Sequence, residues 1–468
     1  MACRCLALLL TLVAGTQVRA QTAELSGTAQ VRIEITRRGN EWTAEYQFDR
    51  ESPVWVFPRS DVTRVEQKPW RPQSWSVETR GVRLERHGWY DVLTADRGEV
   101  PQRVRIRFTP FGQGMQDDYT PALLFTDGSV ALFVAQFELF PMESARAVKA
   151  LPSDLNNQLG PDAKLQYVFR DQAGPVWAGG KRLPLAELSD GHTYVFFGAI
   201  RPIETPDMVG FLDPQLPEWL RESIAESVPD LLARYTRELG PPPGMKPTIM
   251  LSWAGATPGL TSRGGSVLPG LIVLRYEGSG VLQEDAGQRI QGLWFIAHEA
   301  AHFWLGQTVA YEYARDAWIT EGGADLLAMR LVAAEHASYD WRAEFNRSIE
   351  DCVKLTRRRG VESARERNES RAYYACGAVF GLVAESASEK SFFAFVKNLV
   401  EANRVDGIVS RAEWLDALDA ASKKPELSRD IARLLDKGVP DPGSFIAALF
   451  KRAGVVHSLD AEGMPRLP

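Results

Sequence analysis

One short motif constrains the fold around it more than any other feature of the chain. It reads His298-Glu299-Ala300-Ala301-His302. Residues four apart lie on the same face of a helix, so both imidazoles can reach one metal ion. Glu299 then lies beside that ion, where a carboxylate can act as general base on a water molecule. The motif therefore predicts a helix that carries a metal site.

A third ligand is predicted at Glu321, which is separated from His302 by the eighteen residues 303–320. Three protein ligands leave the fourth position of a tetrahedral zinc ion open to water, which distinguishes a catalytic from a structural site. The residues around the motif are largely apolar, so the helix is predicted to be buried. Buried polar groups need partners, and one Zn²⁺ would satisfy both histidines and the carboxylate together.

Residues 298–325, with the sequence HEAAHFWLGQTVAYEYARDAWITEGGAD, resemble the aminopeptidase N family of gluzincin metallopeptidases. In that family the same spacing leads from HExxH to a glutamate in a W-L-N-E-G-like block, which residues 318–322 match. The resemblance implies that His298, His302 and Glu321 bind one Zn²⁺ and that Glu299 is the general base.

Asp325 follows Glu321 by four residues and is predicted to lie on the same helix face. An E-x-x-x-D arrangement of this kind resembles the thermolysin branch of the gluzincins. Metal-bound histidines usually donate their other ring N–H to a carboxylate or a carbonyl. Asp325 is therefore predicted to orient one histidine, and a solvated acid is the alternative.

A tyrosine is predicted to stabilise the oxyanion of the reaction. The family carries it in a Y-x-K-G-A-like block, which matches the segment YACGA at residues 374–378. Tyr374 is the aligned residue, and Cys376 stands in place of the family's lysine. The adjacent Tyr373 is the competing candidate.

One block of the family is incomplete in this chain. Members carry a G-x-M-E-N-like block on the edge strand beside the zinc, and its glutamate binds the free α-amine of the substrate. Gly264, Gly265 and Gly270 match the flanking positions, but Val267 or Leu268 replaces the glutamate. A buried ammonium group would lack a counter-charge there. The resemblance thus implies peptide hydrolysis, while endopeptidase and unusual aminopeptidase specificities both stay open.

A second class of function is a catalytically silent or non-peptidase zinc-binding accessory protein of the same fold. The missing amine-binding glutamate favours this alternative. The intact predicted ligands and the intact base favour an enzyme.

Residues 1–20 are predicted to be a secretory signal peptide. Arg4 gives a basic start, residues 6–13 form a short apolar run, and residues 18–20 form a small-residue cleavage site. An uncleaved anchor is the alternative, although the run is too short for an ordinary transmembrane helix. No later stretch is long and apolar enough to span a bilayer. The mature chain is therefore expected in the periplasm or outside the cell, without a transmembrane anchor.

Cleavage would change the charge and the cysteine content. The formal net charge of −6 becomes −6 − 2 = −8 when Arg4 and Arg19 are removed. An acidic chain without a basic run does not suggest nucleic acid, and the expected partner is a peptide or protein substrate. Cys352 and Cys376 would remain, either as a disulfide between neighbouring helices or as two thiols.

The predicted fold class is α+β. Alternating apolar residues predict an N-terminal antiparallel β domain over residues 21–205. A thermolysin-like α/β zinc peptidase domain is predicted over 206–400, with the metal helix near residues 288–305. Residues 271–274 are predicted to be the edge strand that pairs with the substrate. A short C-terminal helical region is predicted over 401–468.

Overall fold

The computed structural model describes residues 29–116, 119–152, 155, 163–206, 208–242 and 246–468. The predicted signal peptide at residues 1–20 lies outside the described residues. A β-rich N-terminal region is followed by a mixed sheet and then by a helical region. The α+β fold class is therefore confirmed.

The N-terminal region consists of short strands whose buried and exposed side chains alternate, as in β2. Its elements are β1 (Ala29–Arg38), β2 (Glu41–Phe48), β3 (Val54–Phe57), α1 (Arg71–Ser74), β4 (Trp75–Val77), β5 (Val82–His87), β6 (Tyr90–Ala95), β7 (Arg103–Phe108), β8 (Ala122–Leu124), β9 (Val130–Phe133), β10 (Phe140–Met142), α2 (Ala145–Lys149), β11 (Ala163–Asp171), β12 (Val176–Ala178), β13 (Lys181–Leu183), β14 (Ala186–Leu188) and β15 (Tyr194–Phe197).

These strands form three sheets, in the orders β14-β11-β1-β2-β7-β4, β10-β3-β6-β5 and β13-β12-β15-β9-β8. The strand pairs are antiparallel, as predicted, except that β1 and β11 run parallel. The sequence period cannot distinguish these two orientations, because alternation describes one strand and not its neighbour.

A fourth sheet, which has five strands, follows: β16 (Ile203–Glu204), β17 (Val209–Leu212), β18 (Thr248–Trp253), β19 (Ser262–Leu268) and β20 (Leu271–Glu277), with the helix α3 (Glu218–Leu239) between β17 and β18. The order is β16-β17-β18-β20-β19. The prediction that residues 271–274 form the edge strand is wrong, because β20 lies between β18 and β19. The four side chains at its start are buried, as is typical of an interior strand. The edge strand next to β20 is β19, most of whose residues are only partly buried.

The remaining elements are mostly helical, as predicted. They are α4 (Ala286–Ala301), β21 (Ala310–Tyr311), α5 (Trp318–Glu335), α6 (Trp341–Leu355), α7 (Arg371–Ser388), α8 (Phe392–Ala402), β22 (Ile408–Val409), α9 (Arg411–Ser422), α10 (Pro425–Asp436), α11 (Pro442–Ala453), β23 (Ser458–Leu459) and β24 (Pro465–Arg466).

The metal helix α4 differs at its end from the prediction. It begins at Ala286 and is capped by Asp285, whose side chain accepts a hydrogen bond from the Gln288 amide. It ends at Ala301, and His302 starts a tighter turn in which the Phe303 amide bonds the Ala300 carbonyl at 3.1 Å. The apolar run 303–305 extends the helical pattern of the sequence without extending the helix.

One hydrophobic cluster reaches from Met208 to Leu467 and includes residues of α4, α5 and the C-terminal helices. The C-terminal helices therefore share a core with the metal helix. The domain boundaries at 205 and 400 stay predictions. Within the described part of the chain, no helix combines the length and the apolar character that crossing a membrane requires.

Helices α5 and α7 touch backbone to backbone. A Cβ atom added to Gly322 would overlap the Cα of Gly377, and one added to Gly377 would overlap the carbonyl oxygen of Trp318. This contact brings Glu321 of α5 and Tyr374 of α7 to the same place, since Tyr374 lies about one helical turn before Gly377. The Cys352–Cys376 disulfide joins α6 to α7 next to this crossing.

We expect Gly377→Ala to separate α5 from α7 and to lower the free energy of unfolding by about 3 kcal/mol, because the new methyl group meets rigid backbone. Gly381→Ala in the same helix is the control. Its Cβ would meet the Leu326 and Phe392 side chains at 2.9 and 3.0 Å, which can adjust. Denaturant unfolding measures both variants, and equal losses would contradict the proposed importance of the crossing.

Candidate metal centre

The structure brings the three predicted metal ligands together. The Nε2 atoms of His298 and His302 lie 3.2 Å apart, and each lies 3.5 Å from Oε2 of Glu321. Tetrahedral ligands at about 2.0–2.1 Å from zinc are separated from each other by about 3.3 Å. Among the described residues, this is the group of histidine and acidic side chains whose geometry suits a metal ion. The donor set and its spacing fit one Zn²⁺.

Each histidine is oriented by a contact of its other ring nitrogen. Nδ1 of His302 lies 2.9 Å from the carbonyl oxygen of Leu305, which can only accept a hydrogen bond. Nδ1 of His298 lies 2.8 Å from Oδ1 of Asp325. The Leu305 carbonyl places a proton on Nδ1 of His302, and the charge of Asp325 favours a proton on Nδ1 of His298, so that both Nε2 atoms face the metal position.

Asp325 lies in the interior, since only 1% of its surface is exposed. It therefore does not match the alternative of a solvated acid. Its second oxygen, Oδ2, lies 3.6 Å from Nη1 of Arg371, whose Nε lies 2.9 Å from Oδ2 of Asp351. An arginine thus partly compensates the buried carboxylate on the side away from His298.

The electrostatics of the site favour a cation. Burial alone would lower the pKa of His298, but Asp325 and Glu321 outweigh it and raise that pKa to about 10. Burial would raise the pKa of Glu321, but the two histidines hold it well below its usual range. The carboxylates therefore favour the protonated, positively charged imidazoles. A divalent cation would replace the protons on the ligand nitrogens.

Glu299 is buried beside the ligands, with 9% of its surface exposed. Burial raises the pKa of its carboxyl group above the ordinary value, although the neighbouring His298 and His302 oppose this shift. A carboxylate with a raised pKa is better matched to proton transfer near neutral pH than an exposed one.

The two candidate tyrosines occupy different surroundings. The ring of Tyr374 stacks on His298, with centroids 5.8 Å apart and planes 20° apart. Burial, followed by the charge of Glu321, raises the pKa of Tyr374 far above its usual value, so the hydroxyl stays protonated. The hydroxyl of Tyr373 instead accepts from the Arg365 amide and donates to the Glu362 carbonyl, both at 3.3 Å. Tyr374 is therefore the tyrosine at the metal position.

Strand β19 lies directly on the metal helix. A Cβ added to Gly265 would lie 2.8 Å from the Phe295 ring of α4, so a larger residue there would require the ring to move. Val267 packs against the helical cluster, whereas Leu268 packs against the β-rich region. Of the two candidate residues, Val267 is thus the one that faces the metal helix.

The backbone of β19 is partly free to pair with an extended peptide. The Tyr119 hydroxyl donates to the Val267 carbonyl at 3.0 Å, so that carbonyl points away from β20. Gly265 and Arg263 alternate with Val267 and point the same way. Within the described ranges, no partner bonds their outward groups. Gly264 also lies in β19 and pairs with β20.

Gly270 lies outside the edge strand, in the turn between β19 and β20. Its amide donates to Oε1 of Gln307 at 3.1 Å, and Nε2 of Gln307 donates to the Leu268 carbonyl at 2.7 Å. Gln307 therefore links this turn to the segment that follows the metal helix.

Three features of the site were missed from the sequence. The Leu305 carbonyl has no residue signature, because any residue supplies one. Arg371 precedes Tyr374 by one helical turn, and this spacing could have indicated that both residues lie on the same helix face. Tyr311 is close enough to Glu321 that burial and then the Glu321 charge raise its pKa. In the sequence, Tyr311 lies between the ligands His302 and Glu321, and this could have indicated that it lies near the site.

Comparison with known proteins gives one family and several similar folds. Residues 280–437 match the Peptidase family M1 domain, which confirms the resemblance seen in the motif. An aminopeptidase N family protein from Idiomarina loihiensis is 10% identical with a TM-score of 0.61, over 89% of this chain and 78% of that one. Leukotriene A4 hydrolase from Saccharomyces cerevisiae is 12% identical with a TM-score of 0.51, over 88% and 68%. These two structures show the fold alone. No curated protein matches the sequence significantly.

We expect Asp325→Asn to weaken zinc binding about 10–100-fold, because the His298 imidazole loses its anionic partner. Asp351→Asn is the control, since Asp351 touches Arg371 but neither histidine. Competition with a chromophoric chelator measures both affinities. Similar losses in the two variants would show that Asp325 acts through general stability and not through His298.

Proposed function

We propose that the chain is an exported zinc peptidase whose substrates need no free α-amine, on the premise of its match to the Peptidase family M1 domain over residues 280–437. The observation that carries the proposal is the triangle of ligand atoms, 3.2 to 3.5 Å on each side, with Glu299 buried beside it. Peptides are the substrate class that a domain of this family implies.

In the proposed mechanism, His298, His302 and Glu321 hold the zinc ion. When bound, the ion supplies Lewis acidity that polarises a water molecule and the scissile carbonyl. Glu299 accepts a proton from the attacking water and passes it to the leaving amine. The raised pKa of its buried carboxyl group supports this double role.

Tyr374 donates a hydrogen bond to the developing oxyanion in this proposal. The high pKa of its phenol, caused first by burial, keeps the donor proton on the oxygen. The negative charge on this oxygen develops in the transition state. A fixed donor in a closed site therefore stabilises the transition state more than the substrate.

Asp325 and the Leu305 carbonyl act on the histidines and not on the substrate. By holding the proton on each Nδ1, they keep both Nε2 atoms available as ligands. Strand β19 is proposed to bind the substrate backbone through the outward groups of Arg263 and Gly265.

Val267 is the basis of the proposed amine specificity. This residue faces the metal helix at the position where the resembled family has its amine-binding glutamate. A valine offers no counter-charge to an ammonium group, so a free N-terminus would be desolvated without compensation. A neutral amide at this position avoids that penalty.

Export to the periplasm or the cell exterior is supported by two features. Residues 1–20 have the composition of a signal peptide. The Cys352–Cys376 disulfide is of the kind that persists in oxidising compartments.

We expect Glu299→Gln to lower kcat by at least about 10²–10⁴-fold while the protein keeps one zinc ion, since the amide cannot accept the proton. The two measurements are cleavage of a peptide library read by mass spectrometry and metal analysis of the purified protein. Retained turnover would overturn the role of Glu299. A zinc-loaded wild-type protein that cleaves no peptide would favour the accessory-protein alternative.

Tyr374→Phe should lower kcat about 10²-fold with little change in zinc affinity, because the variant removes one oxyanion donor. Tyr373→Phe is the matched control, since its hydroxyl bonds the loop at residues 362–365. The kinetic comparison uses one fluorogenic peptide for both variants. A greater loss of kcat in Tyr373→Phe would reverse the assignment.

The amine proposal is tested with one peptide in two forms. We expect the N-acetylated form to be cleaved with a kcat/KM at least equal to that of the free form. Strict dependence on a free amine would contradict the reading of Val267 and restore an aminopeptidase specificity.

A further inference from the structure

The segment that joins α6 to α7 is basic, although the chain as a whole is acidic. Residues 356–370 contain five arginines and three glutamates, a formal charge of 5 − 3 = +2, whereas the chain carries −6. Arg359 and Arg367 share Glu369 at 2.7 and 2.8 Å. Arg365 is exposed, and its guanidinium has no ion-pair partner in the described part of the chain. Arg365 is therefore free to bind an anion.

Contacts on two sides fix the backbone around Arg365. On one side, the Tyr373 hydroxyl accepts from the Arg365 amide and donates to the Glu362 carbonyl, both at 3.3 Å. Tyr373 is the neighbour of Tyr374, the tyrosine at the metal position. On the other side, the Glu362 carboxylate binds Arg411, which follows β22 by two residues. Arg365 is thus held between the first turn of α7 and the end of β22.

Tyr311 lies near both Arg365 and the ligand Glu321. It belongs to β21, which pairs with β22 through Tyr311 and Val409 and also contacts α5, the helix of Glu321. Its surface is 38% exposed, so the ring borders solvent. Burial and then the charge of Glu321 raise the pKa of Tyr311, and the charge of Arg365 opposes this shift. A peptide that extends from the metal position past Tyr311 therefore comes close to Arg365.

We propose that Arg365 binds a carboxylate of the peptide substrate while the peptide lies at the metal centre. The inference rests on the proposed peptidase function and deepens it, because it names a chemical class of substrate. The carboxylate is either the C-terminus of a short peptide or an acidic side chain, since both present the same two oxygens. Arg365 is a specificity-determining residue in this proposal and takes no part in the proton transfers.

The chemistry of a guanidinium group favours this partner. Its planar N–H groups can donate two parallel hydrogen bonds to one carboxylate. The nearby carboxylates of Glu362 and Glu369 are already bound to other arginines. Because Arg365 is exposed, water and salt weaken the interaction, and the expected gain in affinity is modest.

The test uses zinc-loaded wild-type protein and a cleaved peptide, with whichever N-terminal form, free or acetylated, is cleaved faster. One series compares a C-terminal carboxylate with an amide, in peptides that end one, two or three residues beyond the cleaved bond. The other series places glutamate or glutamine at each of the three positions on either side of the bond, in amidated peptides. The first series identifies a C-terminal carboxylate as the bound group, and the second identifies a side chain.

We expect a kcat/KM at least about fivefold higher for a carboxylate form than for its neutral counterpart, in at least one series, which is the upper range for an exposed ion pair. The gain should be mainly in KM, because the contact is made equally in the substrate and in the transition state. A salt concentration of about 1 M should bring the ratio toward one.

Three variants connect the preference to Arg365. Arg365→Gln removes the charge and should bring the ratio of kcat/KM to about one, whereas Arg365→Lys keeps the charge and should retain part of the preference. Arg358→Gln is the matched control, because it removes the same charge from an exposed position of the same segment. It should keep the wild-type ratio. Circular dichroism checks the fold, and Arg365→Met replaces Arg365→Gln if the latter does not fold.

The outcomes separate the two proposals. Cleavage without a carboxylate preference in either series, a preference that survives Arg365→Gln, or an equal loss in Arg358→Gln overturns the assignment of Arg365 and leaves the peptidase function standing. Failure of zinc-loaded protein to cleave any of these peptides or a wider library overturns the proposed function itself, and the inference that rests on it is overturned as well.

Discussion

The site depends on the direct backbone contact of α5 with α7 at Gly322 and Gly377. No other residue pair could occupy this crossing, because a Cβ on either helix would overlap the other backbone. The contact holds Glu321 near its two histidine partners and holds Tyr374 against the His298 ring. The third ligand and the proposed oxyanion donor are thus positioned by one feature of packing. The disulfide from Cys352 to Cys376 ties a third helix to the same place.

A second constraint is the negative charge buried around the histidines. Glu299, Glu321 and Asp325 lie within a largely apolar helical core, where uncompensated carboxylates are strongly unfavourable. Arg371 compensates Asp325 only from 3.6 Å. Burial opposes the charged form of His298, but the carboxylates stabilise that form and raise the pKa of His298 to about 10. A divalent cation resolves the same imbalance, so the charges of the site and its geometry both favour metal binding.

The ligands were predictable because their spacing reflects a rule of local geometry. Residues 298 and 302 lie one turn apart on any helix, and Asp325 follows Glu321 by the same interval. The edge strand was predicted wrongly, because four consecutive apolar residues at 271–274 describe burial and not position within a sheet. The parallel pairing of β1 with β11 depends on residues distant in sequence, and the His302 contact depends on the Leu305 carbonyl, a backbone group that every residue has. Periodicity carries no information about either of them.

The β-rich region contacts the edge strand that lies beside the metal helix. The Tyr119 hydroxyl of that region donates to the Val267 carbonyl of β19 at 3.0 Å. The metal ligands come from the end of α4, from the residue that follows it and from the first turn of α5.

The central claim is that one zinc ion lies between His298, His302 and Glu321. Anomalous diffraction from zinc-loaded crystals, recorded on both sides of the zinc absorption edge, tests it most directly. The account predicts one strong anomalous peak at about 2.0–2.1 Å from both Nε2 atoms and from a Glu321 oxygen. A peak elsewhere, or none at this position in zinc-loaded protein, would contradict it.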